Sequence, residues 1–148
     1  MRYGISASGI VVEDSKILLV HHVFAGGDNF WVPPGGKLEG EESIFDCAVR
    51  EVREETSPDV SPGGIFWIEE LVDGDLHFVK FHICCQRLAG APDVSRVPED
   101  HVVEARFFSL DELHEVRHFP AALGTGEWLN AEAHAEQAPR YLGLSRVL

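Results

Sequence analysis

Residues 33–58 constrain the fold of this chain more than any other segment of the sequence. They read PPGGKLEGEESIFDCAVREVREETSP, a helical pattern between Pro/Gly residues at one end and Pro58 at the other. Ser43 and Asp46 resemble a capping box, in which side chains satisfy exposed backbone N–H groups at a helix start. Pro58 restricts the residue before it. We therefore predict a helix that begins after Ser43 and ends near Thr56.

One side of this predicted helix is apolar, and three glutamates lie beside it. With the first helical residue at zero and about 100° per residue, the apolar side chains span about 0° to 140°. They are Ile44, Phe45, Ala48, Val49 and Val52. Glu51, Glu54 and Glu55 fall at about 340°, 280° and 20°. We expect these carboxylates to flank or enter the buried arc and not to face bulk water.

The glutamates are not explained by helix stability. Glu51 and Glu55 form a like-charge i,i+4 pair, which costs about 0.2–0.5 kcal/mol. Glu54 and Glu55 lie in the last turn, where the helix dipole disfavours negative charge. Arg50 offsets part of this cost by pairing with Glu54. A hard divalent cation such as Mg²⁺ would resolve the conflict, because it prefers oxygen ligands and uses a few carboxylates with substrate phosphates. The alternative is a solvated acidic helix with fortuitous spacing.

The remainder of the sequence is dominated by predicted strands. A hairpin is predicted at 10–12 and 17–20, with further strands at 29–32, 65–72, 76–88 and 106–108. Gly35 and Gly36 indicate a turn. Ser109 and Glu112 repeat the capping signal for a second helix to about His118, and a short third helix is expected after Ala121. We find no repeat or linker, so one α+β domain over 1–148 is predicted.

Composition narrows the class of function. The chain has 148 residues, 45% hydrophobic and 25% charged, in the range of a folded domain with one core. Its net charge of −13 argues against binding a nucleic-acid polymer, which requires clustered Lys and Arg. A phosphorylated small molecule is compatible with this negative charge if a cation supplies the positive charge at the binding site. Lacking a signal core or an apolar run of about 18 residues, the chain is expected to be cytoplasmic and without a membrane partner. Its three cysteines are expected to be reduced core residues.

The glutamate segment resembles the Nudix box, Gly-x5-Glu-x7-Arg-Glu-U-x-Glu-Glu-x-Gly-U with U aliphatic. The matching residues are Gly36, Glu42, Arg50, Glu51, Val52, Glu54 and Glu55. Ser57 and Pro58 depart from the pattern, since they replace the usual Gly and aliphatic residue. Gly suits a left-handed helix end better than Ser does, so the departure concerns the loop that leaves the helix.

The resemblance implies a fold, a reaction and a metal. The fold would be an α/β/α sandwich around a mixed sheet, and the reaction the hydrolysis of a nucleoside diphosphate linked to another group. Glu51, Glu54 and Glu55 would bind Mg²⁺ or Mn²⁺, with the Gly36 carbonyl nearby and Arg50 orienting the carboxylates. Water would attack phosphorus while a carboxylate serves as general base. Nucleotide sugars, ADP-ribose, dinucleoside polyphosphates and nucleoside triphosphates all stay open as substrates, and homodimers are common among relatives.

Two sets of residues outside the box are further candidates. Many family members place an additional acidic base or ligand before a strand that ends in an aromatic pair. Glu99, Asp100 and Glu104 occupy that region here, and an ordinary solvated loop is the alternative for each. Phe30, Trp31 and Trp67 could stack on a base, whereas packing in the core is the simpler interpretation for aromatic residues.

The sequence is also compatible with two other functions. Residues 114–118 read HEVRH, the HExxH pattern in which two histidines bind Zn²⁺ and Glu115 acts as base. A helix ending at Phe119-Pro120 leaves little room for this arrangement, and histidines at a helix end that complement its dipole are the alternative. A Nudix-like domain that binds a nucleotide or partner without cleaving it is the second. The three intact glutamates count against it.

Overall fold

The computed structural model describes residues 1–94, 101–131 and 137–147, and a mixed β-sheet dominates them. The strands are β1 (Arg2–Glu13), β2 (Lys16–Val23), β3 (Asn29–Val32), β4 (Gly35–Lys37), β5 (Asp59–Asp73), β6 (Leu76–Ala89), β7 (Val102–Phe108) and β8 (Arg140–Arg146). The helices are α1 (Ile44–Thr56) and α2 (Leu110–Leu113), followed by 3₁₀ segments at Ala121–Thr125 and Glu127–Asn130. None of the described helices is long and apolar enough to cross a membrane.

Strand β1 organises the sheet. It pairs in parallel with β6 on one edge and antiparallel with β2 and β4 on the other. Strands β3 and β7 flank β2, while β5 pairs antiparallel with β6 and in parallel with β8. The sheet is therefore mixed, as the resemblance implied.

Helical layers cover both faces of this sheet. On one face the α1 residues Ala48 and Val52 pack against Ala7 and Val11 of β1 and Ile83 of β6. On the other face a larger cluster joins the short helical segments to the strands. Its members include Trp31, Phe66, Trp67, Phe108, Leu113, Leu123 and Trp128. This arrangement, with its structural relatives below, confirms the α+β class and the α/β/α sandwich.

Several local predictions are confirmed and others are wrong. The first hairpin, the strand at 29–32 and the helix ending at Thr56 are present, and Ser43 Oγ accepts from the Asp46 amide. The second helix, predicted to reach His118, ends at Leu113, after which the backbone bonds become i→i−3. The helix expected after Ala121 is 3₁₀, and β8 was not predicted.

Gly35 and Gly36 form strand β4 and not the predicted turn. The absence of side chains permits this, because a Cβ on Gly35 would lie 2.6 Å from the Ala7 carbonyl oxygen of β1. Close approach is a general use of glycine within strands. Strand β4 is thereby held beside β1, directly under the C-terminal half of α1.

Candidate active site

The guanidinium of Arg50 is the centre of a hydrogen-bond network on α1. Its Nε and one terminal nitrogen donate to the two oxygens of Glu42, at 3.0 and 2.7 Å. The other terminal nitrogen donates to Glu51 at 2.8 Å and to Glu54 at 3.1 Å. The Glu42 contact holds the pKa of that carboxyl at about 2. Arg50 therefore fixes one oxygen each of Glu51 and Glu54.

Glu51 is a buried carboxylate that its own protein only partly satisfies. It is 5% exposed and rests on Gly36, where a Cβ would lie 2.5 Å from Glu51 Oε1. Within the described residues, Glu51 Oε2 is buried and has no hydrogen-bond partner. Burial and the neighbouring charge of Glu55 raise the pKa of Glu51 to about 7, despite the opposing effect of Arg50. A buried oxygen in this state favours a cationic ligand.

Glu55 lies one turn further along the helix and is 1% exposed. Its Oε1 accepts from the Gly35 amide at 2.7 Å, and its Oε2 lies 3.7 Å from His22 Nε2 on β2. Glu55 thus connects α1 to β4 and to the end of β2. The expectation that Glu51 and Glu55 enter the buried arc is confirmed.

Glu54 differs from the other two glutamates. Its side chain is 42% exposed, so the expectation that it avoids bulk water is wrong. At about 280° it is the farthest of the three from the apolar arc, and only Arg50 draws it toward Glu51. Glu54 is the box carboxylate that solvent can reach.

The donor set fits a hard divalent cation. Carboxylate oxygens and the adjoining Gly36 carbonyl are the ligand types that Mg²⁺ and Mn²⁺ use. Within the described ranges no three His, Cys, Asp or Glu side chains already converge as a ligand cluster. Glu51 and Glu54 each turn one oxygen to Arg50. The unpartnered Glu51 Oε2 is the position that a cation would satisfy.

The departure from the box pattern at Ser57 is accommodated locally. Ser57 takes a φ of 84°, the region in which glycine is favoured. Its amide donates to Arg53 O at 3.0 Å, and its hydroxyl donates to Asp93 O at 2.8 Å. The helix therefore ends as the pattern requires, with the loop near Asp93 supporting the serine.

The acidic candidates outside the box do not join the three glutamates. Glu99 and Asp100 lie outside the described residues. Glu104 is exposed on β7 and pairs with His21 of β2. His21 and His22 point to opposite faces of β2, and His22 is the one near Glu55. The register therefore places Glu104 on the other face of that strand, and its role stays a prediction.

Two of the three aromatic candidates lie in the core, and the third lies near the glutamates. Trp31 is 5% exposed and Trp67 fully buried, so core packing accounts for both. Phe30 is half-buried and belongs to an open group with His22, Phe24, His101 and Phe119, whose neighbouring ring centroids lie 4.7–6.2 Å apart. This group reaches the carboxylates through His22. His22 is not among the residues predicted from the sequence. The one sequence feature that pointed to it is its position two residues before Phe24, which places both side chains on the same face of a strand.

The HEVRH segment lies beyond the end of α2. His114 Nε2 is 3.2 Å from the Gly124 carbonyl oxygen, and His118 Nδ1 is 3.1 Å from those of Leu113 and Val116. These backbone contacts account for both histidines. The arrangement lacks the helical i,i+4 geometry on which the zinc interpretation depended.

Comparisons with known proteins agree with this geometry. The sequence model of the NUDIX domain matches residues 2–130. An uncharacterised Nudix hydrolase of Bacillus subtilis, YvcI, is 29% identical over 126 residues, covering 82% of this chain and 73% of that protein. An ADP-ribose pyrophosphatase of Methanocaldococcus jannaschii is 28% identical over 74% of this chain, but the match covers only 63% of that protein.

Solved structures share the fold. A Nudix hydrolase from Nitrosomonas europaea superposes with a TM-score of 0.74 at 24% identity, covering 89% of this chain and 90% of its own. An ADP-ribose pyrophosphatase from Streptococcus suis does so with a TM-score of 0.70 at 25% identity, covering 93% and 98%. With the box geometry and the domain match over most of its length, the chain belongs to the Nudix hydrolase family.

Proposed function

We propose that this protein hydrolyses a phosphoanhydride bond in a nucleoside diphosphate linked to another group, with Mg²⁺ or Mn²⁺ as cofactor. Glu51, Glu54, Glu55 and the Gly36 carbonyl would hold the cation. The observation that carries the proposal is the buried, unpartnered oxygen of Glu51, next to Glu55 and fixed by Arg50. Among the described residues, none satisfies that oxygen.

Each residue has a distinct role in the proposed reaction. A bound divalent cation lowers the pKa of a coordinated water and offsets charge on the phosphate oxygens. Arg50 keeps Glu51 and Glu54 oriented through a planar fork that lysine cannot reproduce. Among the box carboxylates, Glu54 is the one exposed to solvent, so it can accept a proton from an incoming water. Glu51 and Glu55 are held in place by Gly36 and the Gly35 amide.

The substrate is proposed at the level of a class. Two of the relatives bear the name ADP-ribose pyrophosphatase, which makes ADP-ribose the first compound to test. Nucleotide sugars, dinucleoside polyphosphates and nucleoside triphosphates share the required bond. Phe30, with Phe24 and Phe119, offers exposed ring faces on which a base could stack.

Turnover of a substrate panel tests the proposal. Product release from these compounds would be measured with Mg²⁺, with Mn²⁺ and with a chelator, for wild type and Glu54→Gln. We expect metal-dependent hydrolysis that falls by orders of magnitude in the variant while thermal unfolding is unchanged. Binding without product, or equal rates in both proteins, would contradict the proposal and favour a non-catalytic nucleotide-binding module.

Four further expectations stay predictions. They are a single domain over 1–148, a cytoplasmic location, no nucleic-acid polymer as partner, and a homodimer. Size-exclusion chromatography with light scattering would measure the last directly.

A further inference from the structure

A cleft of about 630 Å³ opens on the face of the sheet opposite to α1. Gly9 of β1 faces α1, since a Cβ there would meet Val52; Ser6, three residues earlier, points to the other face. Ser6 pairs with Lys37 of β4 on one side and with Lys80 of β6 on the other. Paired residues share a face, so these three side chains form one row along the cleft.

The row concentrates positive charge in an acidic protein. The sequence has three lysines and a net charge of −13, and two of the lysines line this cleft. Their strands flank β1, so their backbones are about 10 Å apart. Within the described chain neither ammonium forms a hydrogen bond or an ion pair, whereas Arg2 at the cleft wall is bonded to Asp75 at 3.0 Å. Lys80 also pairs with Glu69 of β5, whose carboxylate is already bonded to His82. Neither Lys80 nor Lys37 is held by that carboxylate, so both ammonium groups are available to a ligand.

Ser6 adds a buried donor between the two lysines. The residue is 6% exposed and lines the cleft. Its hydroxyl is buried without a hydrogen-bond partner among the described residues, a state that is unfavourable until a ligand supplies the missing bond. One hydroxyl between two ammonium groups is a set of donors suited to a phosphate or carboxylate.

The cleft adjoins the candidate active site through β4. Gly36 lines the cleft and also supports the Glu51 carboxylate, and Arg50 donates to the Lys37 carbonyl at 3.1 Å. A ligand in the cleft is therefore separated from the catalytic carboxylates by a strand that carries no side chain at that point. The cleft and those carboxylates therefore lie on either side of one edge strand.

We infer that Lys37, Lys80 and Ser6 form a subsite for an anionic group of the substrate, a phosphate or carboxylate outside the bond that is cleaved. This inference rests on the proposed function and sharpens it. Substrates that carry an additional anionic group are preferred over matched neutral ones. The subsite belongs to binding and specificity, and the α1 carboxylates retain the chemistry.

Binding of inorganic phosphate and pyrophosphate, measured calorimetrically with a chelator present, tests the subsite without metal or turnover. We expect Lys80→Met and Lys37→Met to weaken binding at least about tenfold and Ser6→Ala to weaken it less. Lys16→Met removes the third lysine, which lies on β2 outside the cleft, and is the matched control that leaves binding unchanged. No binding to wild type, or equal binding to all variants, overturns the inference.

Matched substrates then identify the anion. UDP-glucuronate and UDP-glucose differ by a carboxylate, and ATP and ADP differ by a phosphate. The kcat/KM ratio within the pair that the subsite recognises should fall about tenfold in Lys80→Met and stay constant in Lys16→Met. Phosphate binding lost in Lys80→Met with no turnover of any substrate would retain the subsite and refute the proposed reaction. Turnover by Lys80→Met with unchanged kcat/KM ratios and unchanged phosphate binding would refute the subsite and retain the proposed reaction.

Discussion

The carboxylates of α1 can be compared with a second buried polar group, which lies on the opposite face of the sheet. That group links Ser8, His82 and Glu69: Ser8 Oγ is 2.5 Å from His82 Nδ1, and His82 Nε2 is 2.8 Å from Glu69 Oε1. Burial lowers the pKa of His82, so the neutral ring can accept from Ser8 and donate to Glu69. Every member has a partner.

The two groups are equally buried, but they differ in how fully their polar atoms are hydrogen-bonded. Glu69 is 7% exposed and Glu51 is 5% exposed. The imidazole of His82 holds the pKa of Glu69 below its usual range in spite of burial. The pKa of Glu51, by contrast, rises to about 7. A buried polar group that is satisfied internally stabilises a fold, whereas one left incomplete can be completed by a water molecule, an ion or a substrate. The comparison supports a structural role for the histidine group and the proposed catalytic role for the glutamates.

Removing charge from the incomplete group should have the largest effect on activity. Glu51→Gln is expected to lower turnover by about 10²- to 10⁴-fold, because it removes a ligand oxygen or a proton acceptor while keeping side-chain volume. Steady-state kinetics with Mg²⁺ measures this. The control is Glu41→Gln, the same change at an exposed residue of the preceding loop. Equal turnover by Glu51→Gln and Glu41→Gln would contradict the catalytic role assigned to Glu51.

Breaking the complete group should instead reduce stability. His82→Leu leaves the buried Glu69 carboxylate without its hydrogen-bond donor, which costs at least about 1–3 kcal/mol. Denaturant unfolding measures the loss, and the surviving folded fraction should keep its response to Mg²⁺. His77→Leu, on the same strand, breaks a pair with the half-exposed Glu70 and is expected to cost about 1 kcal/mol or less. Equal losses in both variants would refute the distinction.

Arg50 connects the incomplete group to the fold, so its replacement sharpens the comparison. Arg50→Lys keeps the charge but loses the planar fork that contacts Glu42, Glu51 and Glu54. We expect turnover or metal affinity to fall about 10- to 100-fold. Kinetics over a Mg²⁺ titration would show it. Unchanged kinetics would mean that the carboxylates need no orientation by Arg50.

Glu42 gives a smaller, pH-dependent effect. The pKa of Glu42 is lowered from its ordinary 4.5 to about 2 by Arg50, so its contribution to stability is present above pH 4.5 and is lost as pH falls toward 2. Wild type should therefore lose more stability than Glu42→Gln between pH 4.5 and pH 2. The free energy of unfolding, followed across that window, checks the sign. Parallel curves would contradict it.

A structural feature could be predicted from the sequence where it depends on residues close together in the chain. The bounds of α1 follow from Ser43, Pro58 and the 3.6-residue period, all of them local in the chain, and the register of the box residues indicates the candidate site. Strand β8 and the Ser8–His82–Glu69 group depend on pairings between residues more than ten positions apart, which no local pattern reveals. The capping box at Ser109 was also real, but the helix it starts ends within four residues because the backbone turns to 3₁₀ bonding.

Contacts between distant residues were also missed within the candidate site. The wheel placed Glu51 and Glu55 correctly because α1 is regular, yet it could not show that β4 would lie beneath them. His22, Ser6 and Lys80 come from three strands and meet the site only through tertiary pairing. Residues that act from one element can be read from sequence, whereas those assembled by the sheet require the structure.

Binding of Mn²⁺ tests the central claim most directly, because it needs no knowledge of the substrate. The electron paramagnetic resonance signal of free Mn²⁺ would be followed as wild type, Glu51→Gln and His82→Leu are added under conditions in which each is folded. The account predicts that wild type and His82→Leu remove Mn²⁺ from solution and that Glu51→Gln binds it at least about tenfold more weakly. Equal binding by Glu51→Gln and wild type would show that the buried carboxylate of α1 is not a metal ligand.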